Sequence, residues 1–174
     1  MSLEKNSFKI IDNFLDDELY KNLNTVLKGE FFNWFIEKED TDDNTKNLNG
    51  FFNHNFYRNN EPASPYFKTL IIPILEKLNI FSIINIRANL SLRDVDTIES
   101  GVHTDNESNS AYTAILFLTK CNAKTVLELP EKKINVESIE NRMLIFKSKI
   151  KHKVIYHTDV HKRFVINFNF FKEE

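Results

Sequence analysis

Hydrophobic and polar positions change their period along this chain, close to residue 80. Upstream the spacing is mostly helical. Leu19, Leu23, Val26 and Leu27 fall on one helical face, with Asp16 placed as an N-cap and Gly29 as a stop. Phe67, Leu70, Ile71, Ile74 and Leu78 form a second such stripe, opened by Ser64-Pro65. Pro73 lies inside that stripe; it lacks a backbone N–H and should kink or split the helix. Extended segments are expected at Phe8–Ile11, 31–36 and Phe51–Arg58, and residues 37–49, rich in Asp, Asn and Thr, read as a surface loop.

Downstream, β-branched and aromatic runs dominate: 83–92, 111–119, 125–129, 134–136, 143–147, 152–156 and 163–171. So many short strands in succession mean a sandwich or barrel. The final run alternates cleanly. Phe164, Ile166, Phe168 and Phe170 share one face, whereas Arg163, Val165, Asn167 and Asn169 share the other. The greasy face suits packing against the helices; the mixed face suits the inside of a barrel holding a polar ligand. The expectation is a mainly β fold with flanking helices and a single domain over residues 1–174. Residues up to about 80 would support a β core made by the rest.

Composition narrows the function. With 174 residues, 41% hydrophobic and 28% charged, the chain is long and apolar enough to bury a core. Sixteen Phe call for a two-sided interior. A net charge of -2 with scattered basic residues gives no electrostatic case for a nucleic-acid partner. Three Gly argue against a glycine-rich phosphate loop. Cys121 is the sole cysteine, so it permits neither an intrachain disulfide nor a thiolate metal site; it reads as a half-buried strand or loop residue in a reducing compartment. The first residues lack the apolar core of a signal peptide, and no apolar run is long enough to span a membrane, so a cytoplasmic location is expected.

The chemistry concentrates in Gly101-Val102-His103-Thr104-Asp105-Asn106. In extended backbone His103 and Asp105 point to the same side. His152, at the start of a later strand, is a third donor, with His157 and His161 as competitors. Two imidazoles and one carboxylate on one face of an octahedron leave three open positions, the arrangement of non-haem Fe(II) oxygenases. Two of those positions suit a bidentate 2-oxo acid and one suits O2. Beyond His152 stands Arg163, whose guanidinium could grip a carboxylate bidentately. The distance to Arg163 favours His152 over its competitors. His157, in Tyr156-His157-Thr158-Asp159, reads as an exposed turn residue; His161 could face the pocket or an edge. His54 falls in a Phe-rich strand, with a role toward substrate as the lesser reading.

Over about residues 80–171 the chain resembles the 2-oxoglutarate/Fe(II)-dependent dioxygenases. It is most similar to the prolyl-4-hydroxylase-like branch and its small marine-phage relatives. The pieces that carry the resemblance are IRANLSLR, VHTDN, YTAILFLT, KTVLELPE, ESIENRMLIFKSKIKHKV and KRFVINFNF, with IDNFLDDELYKNL resembling the branch's opening helix. The resemblance implies a double-stranded β-helix, or jelly roll, with two N-terminal helices. It implies His103, Asp105 and His152 as iron ligands, and Arg163 as partner of the distal 2-oxoglutarate carboxylate. It places Asn89 at the coordinating end of the cosubstrate, with Thr113, Ile115 and Phe117 along the pocket wall. Two positions depart from the pattern. Asn122-Ala123 stands where relatives often have Gly-Gly, and Phe117 where prolyl hydroxylases often have a Tyr.

The activity so implied is hydroxylation of a C–H bond, with 2-oxoglutarate and O2 as cosubstrates and release of succinate and CO2. A peptide, prolyl or otherwise, or a small molecule would be the substrate. Two rivals stand beside it. One is a nucleic-acid demethylase of the same superfamily, disfavoured by the charge and by the lack of a second Arg after Arg163. The other is a non-catalytic jelly-roll module. The acidic run 37–49 is expected to be a solvated loop, with a lid over the iron as the alternative.

Overall fold

A computed structural model describes residues 8–36 and 51–172. The acidic run expected as a loop or lid lies outside the described residues. Two antiparallel sheets are stacked. The larger contains β1 (Phe8–Ile11), β2 (Phe35–Ile36), β3 (Phe51–Arg58), β4 (Glu61–Pro62), β5 (Ile80–Leu92), β6 (Ala111–Phe117), β9 (Arg142–Lys147) and β11 (Lys162–Lys172). Its order is β1-β9-β6-β11-β5-β3-β2, with β4 paired to β3. The smaller contains β7 (Cys121–Glu128), β8 (Lys133–Ser138) and β10 (His152–Ile155), in the order β10-β7-β8. Single bridges Glu99↔Ile155 and His103↔His152 lay the 99–103 segment along the free side of β10. This is a jelly roll with two N-terminal helices.

Both helices form where the apolar stripes predict. In α1 (Asp17–Leu27) the Asp16 carboxylate accepts the Leu19 N–H, so the cap quenches an otherwise orphaned donor. The second stripe is split, as Pro73 requires. A π-helical turn, Phe67–Ile71, precedes α2 (Ile72–Leu78), and the Ile72 N–H reaches back to the Phe67 carbonyl. Asn79 then stops α2 in the left-handed region, at φ 53°.

The alternation along β11 sets the layers. Phe164, Ile166, Phe168 and Phe170 join Leu23 and Leu27 of α1 and Ile74 and Leu78 of α2 in one buried cluster. On the opposite face, Val165 joins Ile115, Phe117, Leu144 and Phe146 of the larger sheet with Leu127 and Val136 of the smaller. The larger sheet is thus buried on both sides, which explains the demand for Phe. Burying each such ring contributes roughly 1.5–3 kcal/mol.

Several boundaries differ from expectation; β5 begins at Ile80, before the expected 83. The 31–36 run is strand only at Phe35–Ile36. The N-terminal strands join the larger sheet: β1 pairs with β9, and β3 pairs with β5 along most of its length. β7 starts early, at Cys121, with a register shift between Cys121 and Lys124. The bulge falls on Asn122-Ala123, where a glycine pair was the comparison. Asn122 fixes it by donating its N–H to Asp159 and its side-chain amide to the Thr158 hydroxyl, while accepting the Thr158 N–H.

Candidate metal centre

The smaller sheet's free side positions the first two donors. His103 and His152 exchange both backbone hydrogen bonds, N–H to carbonyl at 3.0 and 2.9 Å, so their side chains rise from one paired position. Each imidazole has its Nδ1 against a backbone carbonyl: His103 on Gly101 at 3.1 Å and His152 on Ile150 at 3.0 Å. A carbonyl only accepts, so Nδ1 carries the proton in both rings and Nε2 keeps its lone pair. Both Nε2 atoms lie 3.7 Å from the Asp105 Oδ1. The three ligand atoms are all within 4.8 Å of one another.

Asp105 is held by its other oxygen. Its N–H donates to the Ser148 carbonyl, and its Oδ2 accepts from the Thr113 hydroxyl at 2.7 Å and the Asn169 amide at 3.1 Å. Thr113 in turn is bonded to Ser148 Oγ and accepts from Asn169. Oδ1 is therefore the oxygen left for a metal. His152 is buried, and that burial, partly offset by the Asp105 charge, holds its pKa below the usual imidazole value. The side chain of His103 is 50% exposed, so the centre opens to solvent on that side. Two neutral nitrogens and a carboxylate oxygen suit a divalent first-row metal, Fe(II) among them.

A cavity of about 110 Å³ adjoins His103 and His152. Arg163 lines it from β11 and is only 5% exposed. Among the described residues Arg163 makes no ion pair and its Nε has no hydrogen-bond partner. Burial lowers its pKa, with Cys121 and Tyr156 pulling the other way. Four more wall residues, Asn89, Ser91, Thr125 and Asn167, each have a buried side-chain oxygen without a partner among the described residues. Such orphaned groups are rare in protein interiors, because each one loses its hydration without compensation. A ligand with several hydrogen-bonding atoms and a negative charge would satisfy this wall.

His103, His152, Arg163, Asn89 and Ile115 thus line one cavity, with Asp105 beside the two imidazoles. Thr113 and Phe117 lie elsewhere. The Thr113 hydroxyl is spent on Asp105 rather than on the cavity. Phe117 is fully buried in the core between the sheets, its ring centre 5.8 Å from the Arg163 guanidinium carbon. His157 corrects an expectation: it is wholly buried, and neither ring nitrogen has a partner among the described residues. The chain bends at Thr158 and Asp159, where Asn122 is bonded to both residues. Burial, then the charge of Arg163, lowers the pKa of His157 below the usual imidazole value. His161 is exposed. His54 is a core residue, its ring bonded to the Asn33 carbonyl and the Ser64 hydroxyl. Asn169, which sequence reasoning read only as one of the mixed-face residues, proves to be a second anchor of Asp105. Its place on the Arg163 face of β11 was the available signal.

No family model and no curated protein matches the sequence. Solved structures do match in fold. A prolyl hydroxylase from Trichoplax adhaerens, in complex with a hypoxia inducible factor oxygen degradation domain peptide fragment, has a TM-score of 0.67 at 17% identity, covering 98% of this chain and 86% of that one. A 2OG-Fe(II) oxygenase family oxidoreductase from Burkholderia pseudomallei has a TM-score of 0.68 at 11% identity, covering 97% and 86%. The epimerase SnoN of nogalamycin biosynthesis, in complex with Fe3+, alpha ketoglutarate and nogalamycin RO, has a TM-score of 0.67 at 9% identity, covering 98% and 80%. Among the described residues no helix is long and apolar enough to cross a membrane. At these identities the likeness is one of architecture: the chain has the fold of the 2-oxoglutarate/Fe(II) oxygenases, prolyl hydroxylases among them.

Proposed function

We propose that this protein is a 2-oxoglutarate- and Fe(II)-dependent oxygenase that hydroxylates a C–H bond of a peptide or small molecule. The observation that carries this reading is the buried Arg163, without an ion pair among the described residues, on the cavity that His103 and His152 also line. A cation removed from water is costly unless a ligand anion completes it. A 2-oxo diacid offers one carboxylate to the arginine and a chelating end to a metal.

In this reading His103, Asp105 and His152 hold the iron, which when bound supplies the activation of O2 for C–H oxidation. The protein residues do the rest. Gly101 and Ile150 fix the imidazole tautomers through their carbonyls. Thr113 and Asn169 hold Asp105 so that only Oδ1 faces the metal. Arg163 orients the cosubstrate through its distal carboxylate, with Phe117 as an apolar floor beneath the guanidinium. Asn89, Ser91, Thr125 and Asn167 supply hydrogen bonds to the cosubstrate inside the cavity. The conversion balances as one O2 shared between two products: one oxygen atom enters the substrate as hydroxyl, the other enters succinate, and CO2 leaves.

The test is succinate formation from 2-oxoglutarate by the full chain, with and without added Fe(II). Metal-dependent succinate is the expected result, and Asp105→Ala should lower both iron binding and turnover at least about 100-fold, beyond what loss of a mere supporting contact produces. Full iron binding and turnover in that variant would overturn the ligand assignment.

A further inference from the structure

A second, larger hollow opens beside the first, with a volume of about 550 Å³. Its polar walls are Asn53, Asn55 and Arg58 from β3 and Asn85 and Arg87 from β5; Phe35 and Ile36 of β2 form the rim. Arg87 lines both hollows, so they adjoin. The pairing explains why. Asn53 lies opposite Asn89 and Asn55 opposite Arg87 across β3 and β5, while Asn167 lies opposite Arg87 and Asn169 opposite Asn85 across β5 and β11. One sheet face therefore runs from the Asp105 anchor to the edge strand as a carpet of carboxamides with two guanidinium groups.

The chemistry of this groove is selective. Among the described residues its lining holds two arginines and no carboxylate, in a protein whose net charge is -2. Arg58 is exposed and makes no ion pair among the described residues. The Asn85 Oδ1 is buried without a partner among the described residues. Each carboxamide offers two donors and an acceptor, so an apolar ligand here would leave many polar groups unpaired, whereas a charged, hydrogen-bonding one would satisfy them. Phe35 and Ile36, 58% and 76% exposed, offer apolar contact only at the rim.

We infer that the groove is the binding site of the substrate to be hydroxylated, and that this substrate carries a carboxylate held by Arg58 and Arg87. The inference rests on the oxygenase reading for the word substrate, but not for the binding itself. The carboxylate could belong to a free amino acid or to an acidic side chain in a peptide.

The test uses two matched pairs of probes: L-glutamate with L-glutamine, and acetyl-Ala-Asp-Pro-Ala-amide with its Asn counterpart. Binding to the metal-free full chain is measured by calorimetry, and succinate formation is followed separately with Fe(II) and 2-oxoglutarate. The acidic member of at least one pair should bind about 10-fold tighter than its neutral isostere, the size of a charge-assisted hydrogen bond. Which pair shows the preference identifies the source. Arg58→Gln and Arg87→Gln should each erode it; Lys68→Gln, a like charge change on the distant π-helical turn, and Arg163→Met, in the deep cavity, should keep it. Equal binding within both pairs, no binding by either acid, or a preference lost only in Arg163→Met would overturn the inference. Acid preference without any succinate would instead sink the oxygenase reading and leave the groove standing; succinate without acid preference would do the reverse.

Discussion

The two faces of β11 are built to opposite rules. One presents Phe164, Ile166, Phe168 and Phe170 to the helices, fully packed and without a polar atom. The other presents Arg163, Asn167 and Asn169, of which Arg163 and Asn167 keep buried polar atoms unpartnered among the described residues. The apolar face stabilises; the polar face weakens the fold and is tolerated for what it binds. A single strand can carry both because successive side chains point to opposite sides of the sheet. The contrast teaches that functional residues here are recognisable as those whose burial the protein alone does not explain.

Breaking the apolar face should have the largest effect. Phe168→Ala should lower stability by about 3–5 kcal/mol, read as a lower denaturant midpoint, because a fully buried ring leaves a cavity. Arg163→Met sharpens the contrast. It should raise the 2-oxoglutarate requirement about 100-fold in the succinate assay, equivalent to about 2.7 kcal/mol, while stabilising the metal-free protein by about 1 kcal/mol. A destabilised variant with an unchanged requirement would show that Arg163 is structural. Asn169→Ala removes a donor to Asp105 and should weaken metal binding about 10-fold, measured by titration, with a smaller change in unfolding than Phe168→Ala.

The smallest effect is pH dependence. Burial holds His54, His152 and His157 below the usual imidazole pKa. With folded values below the unfolded one, the unfolded chain gains protons first as the pH falls. Stability of the metal-free protein should therefore be full above about pH 6.5 and decline below it. Thermal midpoints at pH 7.5 and 5.5 check this; a flat or rising midpoint toward acid would contradict it.

Much of this was legible in the chain. The stripe over Leu19, Leu23 and Leu27 predicts α1, Pro73 predicts the split second helix, and the parity of β11 predicts which residues face the helices. These are local rules of backbone geometry and side-chain period. His157 departs from expectation because Tyr156-His157-Thr158-Asp159 has the composition of an exposed turn; its burial is a tertiary outcome, in a segment whose Thr158 is bonded to Asn122, far away in sequence. Thr113 illustrates the same limit. Parity puts it on the inner face of the larger sheet, but only the arrival of Asp105 over β6 and β11 decides that its hydroxyl serves the carboxylate rather than the cavity.

By itself, then, the amino-acid order determined the elements, their buried faces and the set of groups able to bind a metal, because these follow from period and residue chemistry. Tertiary structure alone decided which groups meet. The antiparallel exchange between His103 and His152 puts the two imidazoles side by side. The stacking of the sheets buries Arg163 with no ion pair among the described residues, and the alignment of β3, β5 and β11 merges scattered asparagines into one groove. Those outcomes depend on contacts between residues distant in sequence, which no local pattern encodes.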